Sequence, residues 1–413
     1  MVDCTSKVDL KTLLIISGGI EAVPGIKLAK KMGFHVVVSD GNLQAPGFEH
    51  ADDKIIASTY NIHDTLKKVK QYHETCREVN GVMCIASDVP LTVAKISSEL
   101  RLPGIPINSA KLAMDKLAMK IKFKNDNIPI PHFKKISSEE QFREIIQEWG
   151  FPIVIKPVDN RGARGVLRIT KEVDLEWAWR HSKKNSPSGT VMVEEFLNGP
   201  QISTESMMID GRCYTVGFSD RNYEFLEKYS PFIIENGGDL PSLLDSKIKT
   251  LINDIVENAG KSMGIYNGII KGDIVIHDGK PYIIELAARL SGGYFCTHTI
   301  PMNTGVDLVG NAIKMAIGDK IDTRDLIPKK NKHICQRFIF PKPGIIKKIN
   351  GVDELKKNPA IKYHSIHIKP GDTIEIPTSH PSRAGMVIAE GNSNEEALKF
   401  ATDAINSLSF IYK

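Results

Sequence analysis

The sequence lacks any apolar run of the length that a membrane-spanning helix needs. It has 413 residues, 41% of them hydrophobic, and apolar stretches such as TLLII and NGII are its longest. A helix that crosses a bilayer takes about 20 apolar residues. The opening residues, MVDCTSKVDL, also contain no signal-peptide core. We therefore expect a cytoplasmic protein that does not associate with a membrane.

Cysteine is scarce, and the six cysteines are not paired in CxxC spacing or grouped with histidines. This distribution argues against structural zinc and disulfide frameworks, and predicts free thiols in a reducing compartment. The net charge of +5 is modest, and no basic stripe is interleaved with aromatic residues. We therefore predict no nucleic-acid partner. The cysteines are Cys4, Cys76, Cys84, Cys213, Cys296 and Cys335.

The first hundred residues alternate strand-like and helix-like segments. TLLIISGG and HVVVSDG are typical of strands, and PGIKLAKKMG between them is typical of a helix closed by Gly33. This alternation predicts a parallel, doubly wound sheet. Gly18, Gly19 and Gly25 do not match the GxGxxG pattern, so packing explains them better than a dinucleotide does. A small anion at this helix N-terminus remains an alternative.

The chain length predicts two to four domains. After the Pro- and Gly-rich stretch LPGIPINS we expect one helix over AKLAMDKLAMKIKFKNDN. A capping box at Ser137 and Glu140 then predicts a helix that ends at Gly150. A second capping box, at Ser393 and Glu396, predicts the start of a last helix.

The stretch IVIKPVDNRGARGV is the first candidate for chemistry. A buried strand ends in Lys156 and leads into a loop that carries Arg161, Gly162, Arg164 and Gly165. Glycine-rich loops can wrap their amides around phosphate oxygens while a lysine supplies a positive charge. The alternative is an ordinary hairpin loop with solvated cations, and the stretch alone favours that alternative.

The stretch VMVEEFLNGPQIS is the second candidate. A strand ends in two acids, an aromatic residue and a leucine, followed by Gly-Pro. Such a segment can present backbone groups and an apolar wall to an aromatic ligand such as adenine. A strand that simply leaves the core would show the same pattern.

The stretch GDIVIHDGKPYIIELAARLSGG predicts a β-hairpin with two acids near its outer ends. A three-residue turn from His277 to Gly279 would pair Asp273 with Ile283, and Lys271 with Glu285, and would put both acids on one face. A two-residue turn would put the acids on opposite faces. On one face they would repel by about 3 kcal/mol unless a cation offset the charge. Solvated acids on a surface hairpin are the alternative, and the stretch alone favours neither.

In order along the chain, these stretches resemble the ATP-grasp superfamily of ADP-forming carboxylate ligases. MDKLAMKIKFKNDNIPIPHF is similar to the entry into the first lobe, FPIVIKPVDNRGARGV to the glycine lid and VEEFLNGPQIS to the adenine hinge. The tail GDTIEIPTSHPSRAGMVIAEGNSNEEAL is similar to the C-terminal domain of biotin carboxylase-like and L-amino-acid ligase-like members. The resemblance implies a mixed α/β and α+β fold: a doubly wound N-terminal domain (1–108), two lobes (109–190 and 191–328) and a small α+β C-terminal domain (329–413).

The resemblance also implies a role for each matching residue. Asp273 and Glu285 would hold Mg²⁺, with Mn²⁺ as the alternative, and Arg289 and Lys156 would act in catalysis. Gln201 stands where a ribose-binding glutamate is common, and Ala287 where an asparagine often completes the metal site. The nucleotide would contact Lys116, Lys156, Arg161, Gly162, Gly165, Glu194, Glu195, Phe196, Leu197 and Gln201. The substrates would contact Ser291, Gly292, Gly293, His298 and Arg383.

The activity that the resemblance implies is ATP-dependent coupling of a carboxylate to an amine through an acyl phosphate. Small-molecule acids and amines would be the substrates, and a homodimer is the default assembly. Two alternatives are a bicarbonate-using carboxylase or carbamoyl-phosphate-type enzyme, and a binding module that holds ATP without turnover. Biotin carboxylases carry a Gln-Val-Glu-His segment after the metal hairpin, where this chain has RLSGGYFCTHTI.

Overall fold

The structure is a computed structural model that describes residues 10–413. The sequence-based expectations about Cys4 and about a signal peptide therefore concern residues outside the described part. None of the described helices is both long and apolar enough to cross a membrane.

Residues 12–99 form a parallel sheet covered by helices. Its elements are β1 (Thr12–Ile16), α1 (Val23–Lys31), β2 (His35–Asp40), β3 (Asp53–Ile56), α2 (Ile62–Thr75), β4 (Gly81–Cys84) and α3 (Pro90–Glu99). The strands run parallel in the order β3-β2-β1-β4. Leu13 and Ile15 pack into one core, and Leu14 and Ile16 into another. The predicted doubly wound sheet is confirmed, because helices bury both of its faces.

The order of these strands positions a ligand crevice. The chain leaves β1 toward β2 on one side, while β4 lies on the other side of β1. In such sheets ligands bind beyond the carboxyl ends of the strands at this switch point. Glu21 follows β1 and Asp88 follows β4, and both line the main cleft of the protein.

Residues 107–195 form a second sheet with helices on it. The elements are α4 (Ile107–Met114), α5 (Lys116–Asn125), β5 (Phe133–Ile136), α6 (Glu139–Trp149), β6 (Ile153–Pro157), β7 (Leu167–Ile169), α7 (Leu175–Lys184) and β8 (Val191–Glu195). The strand order is β5-β8-β6-β7, and all pairs are antiparallel. The core of this part includes Phe142, Ile155 and Trp179.

The single helix predicted over AKLAMDKLAMKIKFKNDN is wrong. Asp115 adopts an extended backbone with φ −125° and ψ 102°, which separates α4 from α5. Its side chain accepts a hydrogen bond of 3.0 Å from the amide of Ala118 and so caps the second helix. The break makes Lys116 the first residue of α5 and places Lys120 one turn later on the same side.

The capping box predicted at Ser137 and Glu140 is wrong by one residue. The N-cap is Ser138, whose hydroxyl accepts from the amide of Gln141 at 3.3 Å. The Gln141 side chain in turn accepts from the amide of Ser137 at 2.9 Å. The box predicted to start at Ser393 is confirmed by its side-chain cap.

One antiparallel sheet of eight strands joins the remaining parts of the chain. Its elements up to residue 316 are β9 (Gln201–Ile209), β10 (Arg212–Arg221), β11 (Gly238–Leu240), α8 (Ser246–Ser262), β12 (Gly268–His277), β13 (Lys280–Ala287), α9 (Ile300–Thr304) and α10 (Leu308–Ala316). The elements after it are β14 (His333–Ile339), β15 (Gly344–Asn350), α11 (Val352–Lys357), β16 (Ile361–Ile366), β17 (Thr373–Ile374), β18 (Gly385–Gly391), α12 (Asn394–Ser407) and β19 (Ser409–Tyr412).

The order in this sheet is β13-β12-β9-β10-β11-β14-β18-β16, while β15, β17 and β19 form a small separate sheet. Strands on both sides of residue 328 thus belong to one sheet, because β11 pairs with β14. The division into four domains, with boundaries at 108, 190 and 328, stays a prediction.

Candidate active site

A cleft of about 870 Å³ lies where all four parts of the chain meet. Its walls come from the ends of β1 and β4, the loop after β6, the end of β8 and the β12–β13 hairpin. The structure brings all the predicted site residues to this cleft except Gly165 and His298. His298 instead packs against the rings of Tyr294 and Tyr363 and contacts the Thr297 hydroxyl at 2.9 Å.

A buried carboxylate between two lysines forms one wall of the cleft. Glu194 on β8 lies 2.6 Å from the Lys156 Nζ atom and 3.1 Å from the Lys120 Nζ atom. All three side chains are at most 5% exposed. Burial raises the pKa of Glu194, but the two lysine charges outweigh it and keep that pKa below its ordinary value. The group therefore carries a net positive charge next to the cleft.

We predict that Lys156→Ala weakens ATP binding by roughly 10- to 100-fold, because it removes a positive charge from this wall. Isothermal titration with a non-hydrolysable ATP analogue measures the change. Lys134→Ala is a matched control, since this half-exposed lysine lies on β5 of the same sheet and pairs with Glu148. Equal affinities of the parent and Lys156→Ala would contradict a nucleotide role for Lys156.

Of the two turn lengths considered from the sequence, the β12–β13 hairpin has the two-residue turn. Only Asp278 and Gly279 form the turn, with φ of 46° and 71°, as two-residue turns of this sequence prefer. Ile274 pairs with Ile283, and Asp273 pairs with Glu285, so Ile284 is an extra residue in β13. A two-residue turn alone would put the two acids on opposite faces, and this β-bulge returns them to one face. Directly opposed residues of antiparallel strands share a face, and both acids line the cleft.

Cations of the protein itself lie next to the two acids. Asp273 is 2.7 Å from Arg221 Nη1 and also contacts Lys271, and Glu285 is 3.0 Å from Lys116 Nζ. Burial raises the pKa of Asp273, yet the charges of Arg221 and Lys271 hold it well below its ordinary value. Asp273 is therefore ionised at neutral pH. These contacts offset the repulsion that the sequence predicted between the two acids.

The two acids fit a divalent ion whose remaining ligands come from outside the protein. Within residues 10–413 no three His, Cys, Asp or Glu side chains are grouped for metal binding. Ala287, which lies beyond Glu285 on β13, has no side-chain donor. Ions such as Mg²⁺ are commonly held by one or two carboxylates together with phosphate oxygens and water. Asp273 and Glu285 match that donor set and do not match a closed all-protein site.

Arg289 and the Ser291–Gly293 segment line the cleft where it meets the N-terminal sheet. The Arg289 Nε group donates to Asp88 Oδ1 at 2.6 Å. Two of the three amides of this segment, which was predicted to contact the substrates, already donate to carboxylates: that of Ser291 to Glu205 and that of Gly293 to Glu21, at 2.9 and 2.8 Å. A substrate that uses these amides would have to displace a carboxylate.

Glu205 makes the stability of this wall depend on pH. It is fully buried, one oxygen accepts from the Ser291 amide, and the other has no hydrogen-bond donor within the described residues. Burial raises its pKa from 4.5 to about 7, although hydrogen bonds from Ser291 oppose the shift. The native state then binds more protons than the unfolded state between these two values. Stability is therefore lost as the pH rises through this window.

We expect Glu205→Gln to be more stable than the parent by roughly 1–3 kcal/mol at about pH 8, since the amide has no charge to bury. The difference should shrink toward about pH 5, where the parent carboxyl is protonated in the folded protein. Urea unfolding of both proteins across this range measures it. A difference that is the same at every pH would contradict the assignment.

The loop after β6 lines the cleft, and we call residues 158–166 the lid. Gly162 and Ala163 take left-handed conformations with φ of 61° and 58°. The Arg161 guanidinium donates to the carbonyl of Asp88 at 3.1 Å. The carbonyl of Gly162 accepts from the amide of His380 at 3.0 Å. The lid thus contacts both the N-terminal sheet and the C-terminal part.

The C-terminal side of the cleft contains a second group of buried charges. Glu235 lies 2.7 Å from Arg221 Nη2 and 3.4 Å from Arg383 Nη2. The Arg383 guanidinium lies 3.6 Å from the centre of the Phe338 ring, a cation–π distance. Burial lowers the pKa of His380 to about 3, so this histidine is neutral here. Arg383 is thus brought to the cleft as predicted, already paired with a carboxylate.

Sequence analysis missed three residues that line the cleft and one, Lys120, that lies behind its wall against Glu194. The sequence spacing indicated Lys120, because it follows Lys116 by four residues and so shares its helix face. The sequence indicated Asp88 too, since it follows a strand of the parallel sheet at its carboxyl end. It did not indicate Arg221 and Glu235, because they meet Asp273 and Arg383 only through tertiary pairing.

Comparisons with known proteins match two segments of this chain to family models. Residues 113–293 match the model of an ATP-grasp domain, and residues 337–413 match L-amino acid ligase C-terminal domain 2. The chain is 24% identical over 220 residues to a D-alanine–D-alanine ligase of Azoarcus, covering 51% of this chain and 69% of that one. It is 26% identical over 275 residues to the alanine–anticapsin ligase of Bacillus subtilis, covering 59% and 56%. The L-amino acid ligase of Bacillus licheniformis superposes with a TM-score of 0.81, at 22% identity over 98% of this chain and all of that structure.

Proposed function

Because this chain is a member of the ATP-grasp superfamily, we propose that it uses ATP to join a carboxylate to an amine. The simplest such amine is an amino acid. The carboxylate oxygen attacks the γ-phosphorus of ATP, ADP leaves, and an acyl phosphate remains. The amine nitrogen then attacks the acyl carbon, and phosphate leaves. The observation that carries this proposal is the pair of opposed acids, Asp273 and Glu285, facing the cleft beneath the lid.

The lysines of the cleft support a nucleotide-binding role for this half of the site. Lys116 and Lys156 supply positive charge for the phosphates, and the lid can cover them. Glu195, Phe196 and Leu197 line the cleft where β8 ends, and we assign the adenine to this hinge. The Arg168 guanidinium, 5.1 Å from the centre of the Phe196 ring, stabilises that ring from one side. Gln201 begins the next strand and can accept a hydrogen bond from the ribose.

We assign Mg²⁺ to Asp273 and Glu285, with phosphate oxygens completing its ligands. When bound, such an ion offsets the negative charge that gathers on the transferred phosphoryl group. The charge of the bound ion would offset the repulsion between the two acids, as the charges of Arg221, Lys271 and Lys116 do in the structure. Arg289 then neutralises the phosphoryl oxygens. The lid excludes water, which would otherwise hydrolyse the acyl phosphate.

A screen for substrates tests the proposal directly. The protein is incubated with ATP, Mg²⁺ and pools of amino acids and small carboxylates, and ADP and phosphate release are measured. We expect turnover that requires both an acid and an amine, with an amide as product. Turnover that requires bicarbonate would favour a carboxylase instead, and ATP binding without any turnover would favour a binding module.

We propose that the protein forms a homodimer, because twofold dimers are the commonest soluble oligomers. Light scattering after size-exclusion chromatography would measure it. A mass near the 45.8 kDa of one chain would contradict it.

A further inference from the structure

We propose that Asp88 is a positioning residue that couples closure of the lid to the orientation of Arg289. The proposal rests on the proposed function, in which Arg289 meets the phosphoryl group and the lid excludes water. Asp88 contacts both elements, one through its side chain and the other through its main chain. It belongs to the N-terminal sheet, so one loop of that sheet would hold two parts of a site built elsewhere.

The side chain of Asp88 fixes the guanidinium of Arg289. Its Oδ1 atom accepts from the Nε group at 2.6 Å, while the Nη1 group donates to the carbonyl of Leu290 at 3.1 Å. Burial raises the pKa of Asp88, but the charge of Arg289 outweighs it and keeps this carboxyl ionised. With two of its groups engaged, the plane of the guanidinium is set by the protein.

The backbone around Asp88 is joined to the same segment. Ile85 forms a parallel bridge with Leu290, and the amide of Ala86 donates to the Leu290 carbonyl at 3.2 Å. The loop after β4 therefore extends its strand alongside the segment that carries Arg289. A shift of this loop would move Arg289 with it.

The main chain of Asp88 holds the lid. Its carbonyl accepts from Arg161 Nη1 at 3.1 Å, and the Arg161 guanidinium lies 4.2 Å from the centre of the Tyr60 ring. The next residue of the lid, Gly162, is held from the C-terminal part by the amide of His380. The lid is thus clasped between two walls, and the wall formed by Asp88 and Tyr60 is the one that also orients Arg289.

The first test is Asp88→Asn, which keeps the size of the side chain and removes its charge. We expect kcat to fall by about 10- to 100-fold, because misplacing a catalytic group lowers the rate by about that factor. The KM for ATP should change by less than about threefold. More phosphate should be released per amide formed, because the lid protects the acyl phosphate less well. Unchanged kcat and unchanged yield of amide would overturn the proposal.

The second test measures the lid without any substrate pair. Trypsin cleaves after Arg161 and Arg164, so its rate at these sites reports an open lid. With Mg²⁺ and a non-hydrolysable ATP analogue we expect Asp88→Asn to be cut at least about fivefold faster than the parent, as expected for a population shift toward the open form. An equal cleavage rate would show that Asp88 acts on Arg289 alone, and would overturn the coupling.

Tyr60 provides a test that does not depend on how well an Asp88 variant folds. Tyr60→Leu removes the ring that the Arg161 guanidinium covers, whereas Tyr60→Phe keeps it. We expect faster cleavage of the lid and a lower yield of amide in Tyr60→Leu, and parent-like behaviour in Tyr60→Phe. Equal behaviour of the two variants would count against the clasp. Absence of turnover in the parent would count against the proposed function only, since the trypsin assay still reports the lid.

Discussion

Replacing Glu285 with glutamine is expected to lower kcat by roughly 10³-fold or more while the fold remains intact. The substitution removes one of the two opposed carboxylates and leaves Asp273 as the only acid of the pair. An amide of the same shape keeps the cross-strand packing, so far-UV circular dichroism and the unfolding midpoint should change little. Initial rates of ADP release, once a substrate pair is known, measure the loss.

A matched control lies in the same hairpin. Asp278→Asn also exchanges an acid for its amide, at the exposed tip of the turn, where Asn tolerates the left-handed backbone. Its kcat should equal that of the parent. If Glu285→Gln retained activity within a few-fold of the parent, the metal assignment would be wrong even though the acids face the cleft.

Replacing Glu194 with glutamine is expected to lower the free energy of unfolding by about 3–5 kcal/mol. The carboxylate is buried between Lys120 and Lys156, and its removal leaves two buried ammonium groups without the carboxylate that contacts both. Burial already lowers the pKa of Lys120 to about 8, although Glu194 raises it. Without Glu194 the pKa falls further, and the folded protein loses protons that the unfolded chain keeps.

Two further variants show whether the lost charge is the cause. Combining Glu194→Gln with Lys120→Met should recover part of the stability, because fewer unpaired charges remain buried. Glu195→Gln, at the neighbouring and less buried position, should change stability by less than about 1 kcal/mol. Chemical denaturation measures all three. A loss below about 1 kcal/mol in Glu194→Gln would show that water reaches the lysines.

The sequence predicts the fold better than the contacts within the site. The parallel N-terminal sheet follows from local alternation, and the order of the lysines, the lid, the hinge and the hairpin carried the ATP-grasp resemblance. The break at Asp115 was missed because the apolar pattern continues across it, while a single side-chain cap decides the local backbone. The turn length stayed open because both lengths suit Asp-Gly, and the bulge at Ile284 that puts both acids on one face carries no sequence signal.

Contacts between distant segments could not be predicted. Asp88 and Arg289 are 201 residues apart, and their pairing depends on how the N-terminal sheet packs beside the hairpin. The charge partners of Asp273 and Arg383 likewise arise from tertiary pairing. One sequence identifies such residues as charged and does not say which of them meet.

The bulge at Ile284 has a consequence for how this hairpin can change during evolution. A two-residue turn with the bulge and a three-residue turn without it both place Asp273 and Glu285 on the same face. Insertion of one residue at the turn is therefore compensated by deletion of one residue in β13. Loss of the bulge residue with the two-residue turn kept would turn one acid away from the cleft, so we expect related chains that lack the bulge to have a turn of odd length.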